Sequence, residues 1–225
     1  MTEKNKIIIF GTGETARLAY EYFSHDSSYS VIAFAVNKEH KQSDNFLNLP
    51  LEEIENLEKK FHPDEYLGFV ALGSGHLNRD RQKVFGQVKG LGYKCASYIS
   101  SKAFRWRDVQ IGENCFIMEN NVLQSGVKIK DNVTLWSGNH IGHLSTIESH
   151  CFISSHVVIS GNCSFGQNCF VGVNSSFADG VKIGKDNFIG LGTIINHDTE
   201  NDSVYTGNPG VKSKVSAKRL SKVKE

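Results

Sequence analysis

An α/β, Rossmann-like N-terminal domain followed by a left-handed parallel β-helix of six-residue repeats is the fold class this 225-residue sequence predicts. Three observations predict it. A large apolar residue recurs at every sixth position from Ile111 to Ile195. Small residues, and residues that tolerate positive φ, recur at fixed offsets behind each of them. The first hundred residues instead alternate strand-like and helix-like stretches around a glycine turn. The first domain is placed at 1–102, and the β-helix with a C-terminal cap at 103–225.

The chain begins with a buried-strand pattern, Lys6-Ile7-Ile8-Ile9-Phe10. It runs into Gly11-Thr12-Gly13-Glu14-Thr15-Ala16 and a helical stretch through Leu18, Ala19 and Tyr22. Val31–Val36 reads as a second strand and Leu51–Phe61 as helical spacing. Leu67–Leu72 reads as a third strand ending at Gly73-Ser74-Gly75, Arg79–Leu91 as a helix and Lys94–Ile99 as a last strand. A GxGxxA turn after a first strand is a nucleotide-binding fingerprint: glycines let the backbone approach a phosphate, and the helix start supplies free N–H donors. A redox dinucleotide site would place a carboxylate at the end of the second strand, where this chain has Val36-Asn37-Lys38. The domain is therefore read as a nucleotide site that is not a redox one. The alternative is a glycine turn kept only for tight packing.

The anchors of the second half are Ile111, Ile117, Leu123, Ile129, Leu135, Ile141, Ile147, Ile153, Ile159, Phe165, Val171, Phe177, Ile183, Ile189 and Ile195. A period of six fits neither a helix nor a flat strand; it fits short strands turning corners around a prism. Four residues after each anchor the side chain is small, as an interior corner requires, and Cys115, Cys151, Cys163 and Cys169 fall there. One position earlier Asn, Gly and Asp dominate, the residues for φ > 0. His150 and His156 occupy this phase and are read as structural. Leu144 breaks its rule, and such positions tend to be strained or functional. Two residues after an anchor the side chain points outward, which exposes His143. Phe152, Phe170 and Phe188 form an outward column at eighteen-residue spacing, read as a covered contact, most simply with another subunit.

The formal net charge of +1 argues against a nucleic-acid partner. The apolar run Ile7–Phe10 is too short for a signal peptide or a membrane span, so neither membrane nor export is expected and a cytoplasmic location is. The five cysteines form no CxxC pair and read as free thiols.

The order of domains, with Ile9-Phe10-Gly11-Thr12-Gly13, Ile141-Gly142-His143, Ile159-Ser160-Gly161-Asn162, Asn168-Cys169-Phe170-Val171-Gly172-Val173-Asn174 and Gly207-Asn208-Pro209, resembles the hexapeptide-repeat sugar acyltransferases of the sialic-acid O-acetyltransferase and bacillosamine N-acetyltransferase type. The resemblance implies a homotrimer with active sites between neighbouring β-helices and acetyl-CoA along the groove between subunits. It also implies a nucleotide-linked amino sugar held by the first domain, and no metal. It places the general base at His143, sugar-nucleotide contacts at Gly13, Glu14, Thr15, Asn37 and Gly73, and acyl-CoA contacts at Phe152, Gly161, Val173 and Leu191. Two departures stand out. The family carries Asp or Glu after the base, where this chain has Leu144, and a second family histidine falls at Phe152. The group that orients His143 is then sought in Glu148, Asn139 or a neighbouring subunit.

The chemistry implied is direct attack of an amine on a thioester, with a histidine taking the proton. A corner N–H near Gly161 would stabilise the oxyanion. His140, also outward, is a candidate for the same cleft, and the basic tail (Lys212, Lys214, Lys218, Arg219, Lys222, Lys224) for CoA phosphates or a solvated helix. Transfer to a sugar hydroxyl is the nearest alternative, and a non-catalytic trimeric sugar-nucleotide scaffold a more distant one. A zinc hydratase is disfavoured, because histidines at 140, 143, 150 and 156 lack its ligand spacing.

Overall fold

The computed structural model describes residues 5–209, 212 and 214–220. The first domain is a five-stranded sheet of β1 (Asn5–Phe10), β2 (Tyr29–Val36), β3 (Asn45–Phe46), β4 (Leu49–Glu53) and β5 (Leu67–Val70), in the order β3-β4-β2-β1-β5. All pairings are parallel except β3 with β4. Helices α1 (Glu14–His25) and α2 (Arg79–Gly90) pack on it. The run of four apolar residues in β1 is explained by its two covered faces. Ile7 and Ile9 pack with Ala16, Ala19 and Phe23 of α1, while Ile8 and Phe10 pack with Phe85 and Val88 of α2.

Two elements differ from the sequence reading. Residues Leu51–Phe61 are not a helix: the stretch begins inside β4 and continues as a 3₁₀ segment, Ile54–Lys59. Leu51, Ile54 and Leu57 are buried at a spacing of three, which a 3₁₀ turn satisfies as well as an α-helix does. The segment Lys94–Ile99 divides between the domains. Cys95 bridges Gly68 of β5, but Tyr98–Ile99 pairs with Phe116–Ile117, so the second domain's pairing starts there.

The second domain is the expected left-handed parallel β-helix. Two-residue strands stack eighteen residues apart into three parallel sheets. Face A runs from Phe104–Arg105 through Val122–Leu123, His140–Ile141, Val158–Ile159 and Ser176–Phe177 to Ile194–Ile195. Face B runs from Gln110–Ile111 to Lys182–Ile183, and face C from Tyr98–Ile99 to Val204–Tyr205. The anchors fill the interior, nearly all fully buried. Every corner residue expected at positive φ has it, including Leu144 (φ 58), His150 (φ 68) and His156 (φ 58). The small interior residues close the corners of the next coil. The thiols of Cys115, Cys151, Cys163 and Cys169 donate to the carbonyls of Lys130, Gly166, Ala178 and Gly184, each at 3.1–3.2 Å and fifteen residues on. All five cysteines are free and buried, and burial pushes the Cys115 thiol up to about 12, so it acts as a neutral donor.

The two domains are joined by direct packing. The Asn114 side chain accepts from Val70 N at 2.6 Å and donates to Val70 O at 3.1 Å, pairing the edge of β5 as a further strand would. Asp26, just after α1, accepts from Tyr98 Oη (2.6 Å), Ser100 Oγ (3.1 Å) and Ser101 N (3.0 Å), which hold its carboxyl at about 2. The phenylalanine column is real: Phe152, Phe170 and Phe188 stack at 5.6 and 4.8 Å with rings 15° and 14° from parallel. Its lower end is covered within the chain, by the Arg81 guanidinium 5.8 Å from the Phe152 ring and by Trp136. Another subunit is needed to cover at most the Phe188 end, which is 42% exposed. No helix among the described residues is long and apolar enough to cross a membrane. The chain's last described helical turn is Ala217–Leu220, with Lys212, Lys214 and Arg219 exposed; Lys222 and Lys224 lie outside the described residues.

Candidate active site in two halves

The first half is a cleft of about 380 Å³ at the carboxyl ends of β1, β2 and β5, the position where open α/β sheets hold ligands. Gly13, Glu14, Thr15, Asn37 and Gly73 all line it, so the five residues marked in the sequence come together. Two glycines of the turn have different reasons to be glycine. Gly11 has φ +127, and a Cβ there would stand 2.9 Å from Ala71 O, so packing of the fold demands it. At Gly13 a Cβ would meet nothing within 4 Å. The fold leaves that backbone open to the cleft, which favours a ligand over mere packing. Gly13 is the N-cap of α1 and offers no side-chain cap, so the first N–H groups of the helix face solvent or ligand. Across the cleft the Gly73 Cβ position lies 3.7 Å from Thr15 Oγ1. Asn37 Oδ1 is buried and has no hydrogen-bond partner among the described residues, an unsatisfied acceptor at the edge of the cleft. His40 also lines the cleft. No sequence motif includes it; its signal is position, three residues past Asn37 in a short 3₁₀ turn, Lys38–His40.

The second half lies on the β-helix. His143 follows the His140–Ile141 strand at the corner between faces A and B and is exposed. Its ring lies on Gly161, one coil on: a Cβ at 161 would come within 2.7 Å of three imidazole atoms, Cε1, Nε2 and Nδ1. Gly161 is thus the seat of the ring, and that contact identifies it as part of the His143 site. The backbone N–H of His143 donates to Gln124 Oε1 at 2.8 Å, and Asn162 Nδ2 lies 3.5 Å from Nε2. No carboxylate contacts the ring among the described residues. Asn139 does not orient it: that side chain is an interior corner group, donating to Trp136 O at 2.6 Å and accepting from Val157 N at 2.8 Å. Nor, among the described residues, does any hydrogen bond or ion pair tie Glu148 to the ring; it follows Ile147 on face B. Leu144 points the opposite way from His143, its Cδ2 2.6 Å from a Cβ position at Gly126, one coil back. The Gly161 N–H donates to no acceptor among the described residues.

Val173 and Leu191 stand exposed at the other edge of face A, at the corner from face C, one coil apart. Face A between that edge and His143 is itself apolar and open, with Phe104 52%, Val158 48% and Ile194 77% exposed and His140 half-buried. Phe152 is elsewhere, half-buried on face C against Arg81 and Trp136. Within one chain, therefore, Phe152 is not brought to Gly161 and His143. The residues lining the first-domain cleft include none from the β-helix.

Comparison with known proteins fits this geometry. Residues 108–143 match the family model for the bacterial transferase hexapeptide (six repeats), and residues 163–197 match the hexapeptide repeat of succinyl-transferase. Both matched stretches lie within the β-helix. No curated protein matches the chain. Among solved structures, the acetyltransferase domain of PglB from Neisseria gonorrhoeae FA1090 in complex with acetyl coenzyme A superimposes with a TM-score of 0.81 at 21% identity, over 92% of this chain and 98% of that one. PerB from Caulobacter crescentus, in complex with CoA and GDP-perosamine, superimposes with a TM-score of 0.80 at 22% identity, over 90% and 94%. WeeI from Acinetobacter baumannii AYE gives 0.58 at 16% identity, over 90% and 97%. The β-helix and the α/β domain before it thus share their fold with these chains over 90% or more of this chain.

Proposed function

We propose that the chain is an acetyl-CoA-dependent N-acetyltransferase acting on a nucleotide-linked amino sugar, a UDP- or dTDP-4-amino-4,6-dideoxyhexose, in surface-glycan synthesis in the cytoplasm. The observation that carries the reading is the pairing of an open glycine cleft, holding an unpartnered Asn37 acceptor, with an exposed histidine seated on a hexapeptide corner. The fold relatives whose ligands are named hold acetyl coenzyme A, or CoA with GDP-perosamine, which supports both substrate classes and adds GDP-linked sugars to the panel.

The sugar amine attacks the thioester carbonyl, His143 takes the proton lost by nitrogen, and the C–S bond breaks as the acetyl group passes to the amine. The proton then returns to the departing CoA thiolate. The free Gly161 N–H is the candidate donor to the oxyanion. Holding both substrates in one site accounts for much of the rate. The two halves of the site lie at different corners of the fold: the first domain covers the corner between faces B and C, while His143 sits between faces A and B. A homotrimer that buries the apolar face A, with Val173 and Leu191 beside it, would bring the cleft of one subunit to the His143 of another. Gly161, Val173 and Leu191 would then border the acyl-CoA groove. Transfer to a sugar hydroxyl, as in the sialic-acid type, is the second reading, because the same base serves either nucleophile. The exposed Lys212, Lys214 and Arg219 are candidates for the CoA phosphates.

The test is release of free CoA from acetyl-CoA in the presence of UDP-, dTDP- and GDP-linked 4-amino-4,6-dideoxyhexoses and of sialic acid. Release with an amino sugar supports the proposal, release with sialic acid alone gives the O-acetyl reading, and release with none favours a binding scaffold.

A further inference from the structure

Arg81 is the third residue of α2, where a charged side chain would ordinarily be solvated. Instead it is 1% exposed. Its Nη1 donates to Gly73 O at 2.7 Å. Its Nη2 donates to the prism corner, to His150 O at 3.1 Å, Cys151 O at 3.2 Å and Asn132 O at 3.4 Å. The guanidinium lies over the Phe152 ring. Among the described residues no carboxylate pairs with it, and its Nε has no partner. Burial lowers it only to about 10, so it is a cation at neutral pH. A buried charge satisfied by carbonyls alone is costly to keep, and one of those carbonyls belongs to the wall of the candidate nucleotide cleft.

Neighbouring residues hold the same junction one coil after another. Asn78, fully buried, donates to Asn168 O (3.3 Å) and Cys169 O (3.1 Å), and Arg79 pairs with Asp186. Between Gly73 and α2 the chain passes through three successive left-handed residues, His76, Leu77 and Asn78 (φ 46, 50 and 65). Such a run of non-glycine residues persists only where the surroundings impose it. In a planar trans peptide the C=O and the following N–H point in opposite directions. With Gly73 O bonded to Arg81, the Ser74 N–H is turned away from it, and that N–H donates to nothing among the described residues.

We propose that Arg81 is a positioning residue that fixes the Gly73–Ser74 peptide for nucleotide binding by tying it to the hexapeptide corner at His150–Cys151. The proposal rests on the nucleotide reading of the cleft. The residue touches no substrate; it sets the wall that does. Loss of the tie frees the 73–78 segment and weakens the nucleotide half of the site while leaving the acyl-donor half intact.

The test compares wild type, Arg81→Lys and Arg81→Met for binding of UDP, dTDP and GDP by calorimetry, binding of CoA, and amide hydrogen exchange across the chain. In Arg81→Met, affinity for the nucleotide that wild type binds is expected to fall tenfold or more. CoA affinity should change by less than twofold, and exchange should rise over residues 73–78 but not over 111–195. Arg81→Lys, which keeps the charge but reaches fewer carbonyls, should fall between. Unchanged nucleotide affinity in Arg81→Met would overturn the proposal. So would equal losses for nucleotide and CoA with faster exchange throughout, the mark of a purely structural role. If wild type binds none of the three nucleotides, the nucleotide reading and this proposal both fall. If wild type binds but Arg81→Met does not fold, Arg81→Lys decides on the same two affinities.

Discussion

Two corners of the β-helix obey one six-residue rule and end in opposite states. At the corner between faces B and C, the buried Asn114 and Asn132 and the half-buried His150 form a ladder: Asn114 Nδ2 donates to Asn132 Oδ1 at 2.9 Å, and Asn132 Nδ2 lies 2.9 Å from His150 Nδ1. The first domain covers it, and burial, then the nearby Arg81 charge, push the His150 imidazole down to about 4. At the corner between faces A and B nothing among the described residues covers the equivalent column, and His143 lies open on Gly161. The two histidines differ by one phase of the repeat and by what packs against them. The repeat fixes where a side chain emerges; the partner surface decides whether it becomes structure or chemistry.

The shared interior is the largest lever. Ile153→Ala, at a fully buried anchor, should cost about 2–5 kcal/mol and lower the unfolding midpoint of both corners together. Independent melting of the two corners would break the comparison. Gly161→Ala acts on the open corner alone. The new methyl must displace the imidazole, a movable side chain, so turnover should fall about 10–100-fold, or ~1.4–2.7 kcal/mol, with the melting temperature nearly unchanged. Equal turnover would show that the ring's seat does not matter.

His150→Asn acts on the covered corner. An unfolded histidine titrates near ~6.5, whereas the folded one is held at about 4. As pH falls below the unfolded value, the unfolded chain takes up the proton first, so this stabilisation is present above pH ~6.5 and is lost on the way to 4. Asparagine also suits the positive φ but cannot titrate. The variant should flatten urea midpoints measured between pH 7 and pH 4.5, and an unchanged slope would mean other groups set it. The smallest effect is expected at Leu144, a branched residue at φ 58 and 62% exposed. Leu144→Asn should gain up to about 1 kcal/mol, since Asn tolerates the left-handed region. A loss of stability would show that packing on Gly126 outweighs backbone strain.

Most of the prism was legible because one repeat constrains every phase at once. The anchors, the interior cysteines and the positive φ of Leu144, His150 and His156 all follow from counting by six. The cleft was legible through Gly13 and Asn37, whose types suit a ligand at a strand end. Contacts between domains were not legible. Arg81 looks like a surface residue of a helix, and three of its four acceptors lie 51 to 70 residues away. Leu51–Phe61 misled because buried positions three apart serve two kinds of helix and a strand end alike. The likeness to families with a carboxylate after the base pointed to an orienting group, and Asn139 cannot be that group because the interior claims its amide.

The proposed chemistry at the open corner is tested most directly by the turnover of His143→Asn against wild type, with acetyl-CoA and the amino-sugar nucleotide that wild type uses, at saturating concentrations of both. Loss of general base catalysis should lower kcat by about 10²–10⁴-fold while CoA and nucleotide still bind. Turnover within a few-fold of wild type would contradict the role of His143 and leave the exposed histidine without a catalytic purpose.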